Sequence, residues 1–223
     1  MVSILAQRAL KLALVQATAL QSRYPRLKHP PTILYFAYGA NLRMARFEKY
    51  GMNVRPVGVA RLPRHELRFD FPCEYLGKGY ASVAAAEAKE VWGHLFELDA
   101  LAMCLLDTME WSNFRQYRRI ALPVETTEGK PHVAQVYQAR WPRKGLAPSL
   151  AYKKMILESA KEFNFPQSYI DEVAAHPHGD NFPLDPEFSF IHPDRPRLGA
   201  RQLRGLYLRH DRLREKIADW LRF

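Results

Sequence analysis

Between Ile33 and Trp141 the chain breaks into seven short segments of strand character, and a single helical pattern interrupts them. The segments are ILYFAY, VRPVGVARL, ELRFDF, YASVAAA, EVWGHLFEL, RQYRRIALPVE and HVAQVYQARW. Each is rich in Val, aromatics or apolar–polar alternation, and turn residues separate them. A parallel sheet needs a long crossover, usually a helix, after each strand. No such alternation runs through 33–141. The pattern therefore predicts an α+β domain around a mixed or barrel-like sheet. With 223 residues and 48% apolar composition, the chain can bury one sizeable core and still carry extra terminal elements.

The intervening helix is DALAMCLLDTME, Asp99 to Glu110. Asp99 is a suitable N-cap, and Leu101, Leu105, Leu106 and Met109 form an apolar stripe. LAYKKMILESAKEFN and PQSYIDEVAAH predict two further helices. Residues 1–22 predict another, with Gln7, Arg8, Lys11, Thr18 and Gln21 roughly on one face. No acidic residue precedes Glu48, which suits either a docking or subunit-contact helix or a transit peptide; docking is the reading preferred. RYPRLKHPPT reads as a linker, residues 176–199 as an irregular loop, and 201–223 as a helix with Leu203, Leu206, His210, Leu213, Ile217 and Leu221 on one side. The expected organisation is an N-terminal helix and linker over 1–30, a domain over 31–175, and a loop with a basic helix over 176–223.

The net charge of +10 invites a nucleic-acid reading, but its distribution opposes one. Residues 1–30 hold five basic and no acidic residues. Residues 195–223 hold nine basic residues against Asp211, Glu215 and Asp219. Those ends carry +5 and +6, which leaves −1 for 31–194. A body built to track phosphates needs a local positive excess, and this one has none. The basic C-terminal helix is better suited to docking or to a homodimer contact than to RNA or an anionic membrane.

No run of about 18 uncharged apolar residues is present, so no membrane span is expected. Cys73 and Cys104 suggest neither a disulfide framework nor a zinc site. Cys104 falls in the apolar face of its helix, and Cys73 has no evident base partner. His94, in WGHLF, is expected to be a half-buried strand residue. His176, His178 and Asp180 in HPHGD have metal-ligand chemistry, but in a Pro-rich loop they read as surface turn residues; no metal is expected.

Two short stretches stand out. ILYFAY ends in Tyr38-Gly39-Ala40-Asn41. A strand that stops there can turn at Gly39 and Asn41, the residues that best tolerate positive φ. The N–H groups of such a turn can converge on an anion. In LLDTMEWSNFRQYRR, a helix ends with Glu110 and a strand resumes through Tyr117. A carboxylate at a helix C-terminus faces the negative end of the macrodipole, and in a cleft it is suited to general-base work. Taken singly, the commoner readings are a structural turn and a solvated glutamate.

Taken together, YFAYGANL, GYASV, VWGHLFEL, LLDTMEWSN…QYRR and LAYKKMI resemble, in order and spacing, the gamma-glutamylcyclotransferases. The resemblance covers roughly 33–175. It implies a small mixed β-barrel of about six strands flanked by helices. It also implies a cofactor-free enzyme that cyclises a γ-glutamyl group, releasing 5-oxoproline and an amino acid or amine. Carried over by motif, Glu110 would be the catalytic acid/base. Tyr38, Gly39, Ala40, Asn41 and Leu42 would hold the glutamyl moiety, and Tyr117 and Tyr152 would help line the site. A cytoplasmic location is expected, with an organelle as the alternative if 1–22 is a targeting segment.

Two residues depart from the family pattern. Ala40 stands where Ser is usual, which leaves backbone donors intact. Trp111 follows Glu110 where Gly is usual, which bears on substrate range. A binding or regulatory protein that keeps the fold without the reaction is the alternative expectation.

Overall fold

The computed structural model describes residues 32–49, 52–73, 78–110 and 117–179. The helices expected at 1–22 and 201–223, most of the loop before 199, Trp111 and Asp180 lie outside the described residues.

Five strands close into a barrel: β1 (Ile33–Ala37), β2 (Val54–Cys73), β3 (Lys78–Leu98), β4 (Tyr117–Thr126) and β5 (Pro131–Ala139). The order around the barrel is β1-β3-β2-β4-β5. All pairings are antiparallel except the closing one, where β1 meets β5 in parallel at Tyr35 and Gln135. The mixed barrel agrees with expectation, with five strands in place of about six. The difference arises because VRPVGVARL and ELRFDF run together as β2, and YASVAAA and EVWGHLFEL as β3. Pro63 and Arg64 do not turn the chain back. They form an irregularity between Pro63 and His65 where Arg64 takes φ 55°, and pairing with β3 continues beyond it. Such bulges bend a strand without ending it.

Among the described residues four α-helices accompany the barrel: α1 (Met44–Lys49), α2 (Ala100–Met109), α3 (Leu150–Glu162) and α4 (Gln167–Ala175). Asp99 caps α2, its Oδ1 accepting from the Ala102 N–H at 2.7 Å. Ser149 caps α3 through the Tyr152 N–H at 3.1 Å. α3 ends in a Schellman turn. Asn164 takes φ 55°, its N–H bonds Lys161 O, and the Phe165 N–H reaches back to Ala160 O.

The core joins barrel and helices through Phe36, Leu62, Val91, Leu95, Phe96, Leu106 and Ile156, all essentially fully buried. Phe47 of α1 packs edge-on against Phe96, with ring centroids 5.2 Å apart. His94, expected half-buried, is buried, because it lies between the rings of Phe96 and Phe163 at 4.5 and 4.4 Å. Among the described residues no helix is long and apolar enough to cross a membrane.

Candidate active site

The turn after β1 differs from the expected positive-φ bend. Gly39 has φ −128°, and Ala40–Leu42 form one turn of 3-10 helix. Gly39 is needed for closeness instead. A Cβ there would lie 3.1 Å from Ala81 Cβ and 3.2 Å from Tyr152 Oη, tighter than ordinary packing. The 3-10 turn carries Asn41 and Leu42 inward, and both are buried.

Glu110 is the first residue past α2, and its N–H closes on Leu106 O at 2.8 Å. Its carboxylate reaches the 3-10 turn: Asn41 Nδ2 donates to Glu110 Oε1 at 2.9 Å and to Tyr35 Oη at 2.8 Å. Asn41 Oδ1 is buried and has no hydrogen-bond partner among the described residues.

Five tyrosine hydroxyls feel the Glu110 charge: Tyr35, Tyr38, Tyr117, Tyr137 and Tyr152. Burial raises the pKa of each, and the carboxylate adds to that, so all five are neutral phenols at ordinary pH. They differ in where their hydrogens go. Tyr38 donates to the carbonyl of Tyr137. Tyr117 donates to Ala81 O at 2.7 Å, and Tyr137 donates to Asp107 Oδ1 at 2.8 Å. Tyr152 Oη instead accepts, from the Ala81 N–H at 3.3 Å and from the Ala40 backbone. Burial pushes Tyr152 up to about 12, and those backbone donors pull against it. Tyr35 accepts from Asn41. A phenol that accepts from the protein keeps its own hydrogen for another acceptor. Tyr35 and Tyr152 are thus the two hydroxyls able to donate to a ligand.

The structure therefore gathers Tyr38, Gly39, Ala40, Asn41, Leu42, Glu110, Tyr117 and Tyr152 around one place. Sequence reasoning did not include Tyr35, Tyr137 or Asp107. Tyr35 lies within β1 and Tyr38 just past its end, so strand alternation does not group them, and the hydrogen bond from Asn41 is what ties Tyr35 to this place. Asp107 had a signal, one helical turn before Glu110. The other candidates lie apart. The His176 ring packs on Phe69 with centroids 5.1 Å apart, and among the described residues no group of His, Cys, Asp and Glu has metal-binding geometry. Cys104 is half-buried, and burial raises its thiol pKa.

The closed mixed barrel has the gamma-glutamylcyclotransferase fold, as comparison with known proteins shows. The AIG2-like family profile matches residues 90–173. A gamma-glutamylcyclotransferase from Bos taurus is 32% identical over 142 residues, 62% of this chain and 75% of the relative. The Homo sapiens gamma-glutamylcyclotransferase is 30% identical over 151 residues, 65% of this chain and 78% of the relative. A solved structure of a gamma-glutamyl cyclotransferase superposes with TM-score 0.63 at 28% identity, covering 68% of this chain and 91% of the other. The chain belongs to the AIG2-like, gamma-glutamylcyclotransferase family.

Proposed function

We propose that this protein is a gamma-glutamylcyclotransferase acting on a γ-glutamyl amino acid or amine, with release of 5-oxoproline. The observation that carries the reading is the 2.9 Å contact between Asn41 and Glu110, which sets a carboxylate directly against the turn after β1. The support from relatives is their shared name and the extent of the match.

The substrate supplies its own nucleophile, because the α-amine attacks the γ-carbonyl to close a five-membered lactam. No side-chain nucleophile is required. Holding the chain in that geometry makes the attack intramolecular, worth up to roughly 10⁵–10⁸ M in effective concentration. Glu110 takes the proton from the α-ammonium and returns one to the departing amine, a contribution of about 10²- to 10⁴-fold. Asn41 fixes the carboxylate's orientation. The phenol hydrogens of Tyr35 and Tyr152 point to acceptors on the substrate, including the oxygen that becomes negative during attack. Tyr38, Tyr117 and Tyr137 hold the walls, their hydroxyls engaged with main chain or with Asp107. The working unit is the domain over 31–175.

The test is a panel of γ-glutamyl dipeptides and γ-glutamyl amines, with 5-oxoproline as the readout. Release from any member supports the reading. Binding of the panel with no lactam formed identifies a protein that keeps the fold for recognition alone.

A further inference from the structure

Asp107 stands one helical turn before Glu110, and the Glu110 N–H still closes on Leu106 O at 2.8 Å, so both carboxylates leave the same side of the end of α2. The proposed reaction gives Asp107 no task, yet the barrel builds a seat for it. Arg119 of β4 and Tyr137 of β5 stand directly opposite each other in the sheet register. Both reach one oxygen of Asp107: Tyr137 donates its hydroxyl to Oδ1 at 2.8 Å, and Arg119 Nε lies 3.3 Å from it. Asp107 is half-buried and Tyr137 is buried. A phenol that donates to a carboxylate makes a stronger contact than one between neutral groups, and the guanidinium offsets the carboxylate's charge.

Tyr137 joins this seat to the candidate site a second time. Its carbonyl accepts from the Tyr38 hydroxyl, and its ring meets that of Tyr35 edge-on with centroids 5.7 Å apart. Tyr38 opens the turn that carries Asn41, and Asn41 Nδ2 donates to Glu110 and to Tyr35. The contacts close a circuit. It runs from Glu110 to Asn41, through the turn to Tyr38, across to Tyr137, on to Asp107, and back along one turn of helix to Glu110. Asn41 holds the Glu110 carboxylate from the side of the turn. Asp107 holds the end of the helix that delivers it. A reacting group misplaced by about 1 Å can cost roughly 10²-fold in rate, so a second anchor bears directly on turnover.

We infer that Asp107 is a positioning residue for Glu110: through Tyr137 and Arg119 it fixes the rotation and height of the last turn of α2, and so sets where the Glu110 carboxylate meets Asn41. Asp107 acts through Glu110 and is assigned no contact with substrate. The effect on rate rests on the cyclotransferase reading; the effect on the place of Glu110 does not.

The test measures 5-oxoproline release from γ-glutamyl-alanine by the wild type, Asp107→Ala, Asp107→Asn and Tyr137→Phe, with circular dichroism as the check on folding at the assay temperature. Asp107→Ala is expected to lower kcat at least about 10-fold with KM within about threefold, the split for a reacting group displaced while substrate contacts remain. Asp107→Asn keeps an acceptor for the Tyr137 hydroxyl and should bring kcat back to within about threefold of the wild type. Tyr137→Phe should match Asp107→Ala, and the two changes together should be no slower than either, because both remove one contact. The Asn41 side-chain amide signals in nitrogen–proton NMR spectra, assigned by their loss in Asn41→Ala, report the contact with Glu110 without any turnover. They are expected to shift in Asp107→Ala and Tyr137→Phe and to stay in place in Asp107→Asn. Should Asp107→Ala fail to fold, Tyr137→Phe decides by the same readings. Unmoved Asn41 signals, a kcat that survives while only stability or KM changes, or an Asp107→Asn protein as slow as Asp107→Ala overturns the assignment and leaves Asp107 structural. Absence of 5-oxoproline from the wild type counts against the cyclisation reading instead, and the Asn41 signals then decide the role of Asp107 alone.

Discussion

Asn41 and Glu110, 69 residues apart in the chain, meet through a 2.9 Å hydrogen bond from the amide to the carboxylate. The same amide nitrogen donates to Tyr35 at 2.8 Å, so one side chain ties the end of α2, the 3-10 turn and β1 together. Replacing Asn41 by Ala removes the restraint on the carboxylate without removing the carboxylate. Activity on the best γ-glutamyl substrate is expected to fall roughly 10- to 100-fold, the range for loss of a positioning hydrogen bond to a charged group. Steady-state kinetics on the folded variant check this.

The glycines rank by what a side chain would strike. A Cβ at Gly93 would lie 2.3 Å from Ala37 O and 2.5 Å from the Phe36 ring, within the barrel core. At Gly39 the nearest atoms are 3.1 and 3.2 Å away and belong to side chains. Gly93→Ala is expected to destabilise by about 3 kcal/mol or more, the scale of an overpacked core. Gly39→Ala should cost about 1 kcal/mol while shifting Tyr152 and lowering turnover. Urea unfolding of both variants tests the order.

Lys153 is only 5% exposed, and its ammonium donates to Ala174 O at 2.9 Å and His176 O at 2.7 Å. These carbonyls belong to the end of α4, so the lysine fastens that helix to α3 and complements its negative terminus. Lys153→Met leaves both carbonyls without this donor, at an expected cost of about 2–3 kcal/mol. The same denaturation assay measures it.

His94 gives the fold an acid-sensitive point. Burial lowers its pKa between Phe96 and Phe163, and burial also lowers that of His176. The unfolded chain binds a proton at His94 near pH 6.5, where the folded protein does not. The associated stability is therefore fully present above about pH 6.5 and is lost as pH falls toward the depressed folded value. In His94→Leu the urea midpoint should fall less between about pH 7.5 and about pH 5 than in the wild type, with the His176 contribution remaining. An equal fall in both proteins would remove His94 from the account.

Much of the fold was legible because strand alternation, the Asp99 cap and the apolar stripe of α2 are local properties of the chain. The number of strands was not. Pro63-Arg64 carries turn chemistry, and only pairing with β3 turns it into a bulge. The short α1 was missed because its six residues hold no full apolar period. In the site, Glu110 and the Tyr38–Leu42 stretch were visible as motifs. Tyr35 and Tyr137 were not, since each belongs through hydrogen bonds that only the folded chain makes.

The central claim is that Glu110 moves the proton during ring closure. Its most direct test is 5-oxoproline release by Glu110→Gln beside the wild type, with substrate binding measured by calorimetry in both. The expected result is turnover reduced by at least about 10²-fold with folding intact and binding retained. A Glu110→Gln protein that still forms 5-oxoproline at the wild-type rate would contradict the account.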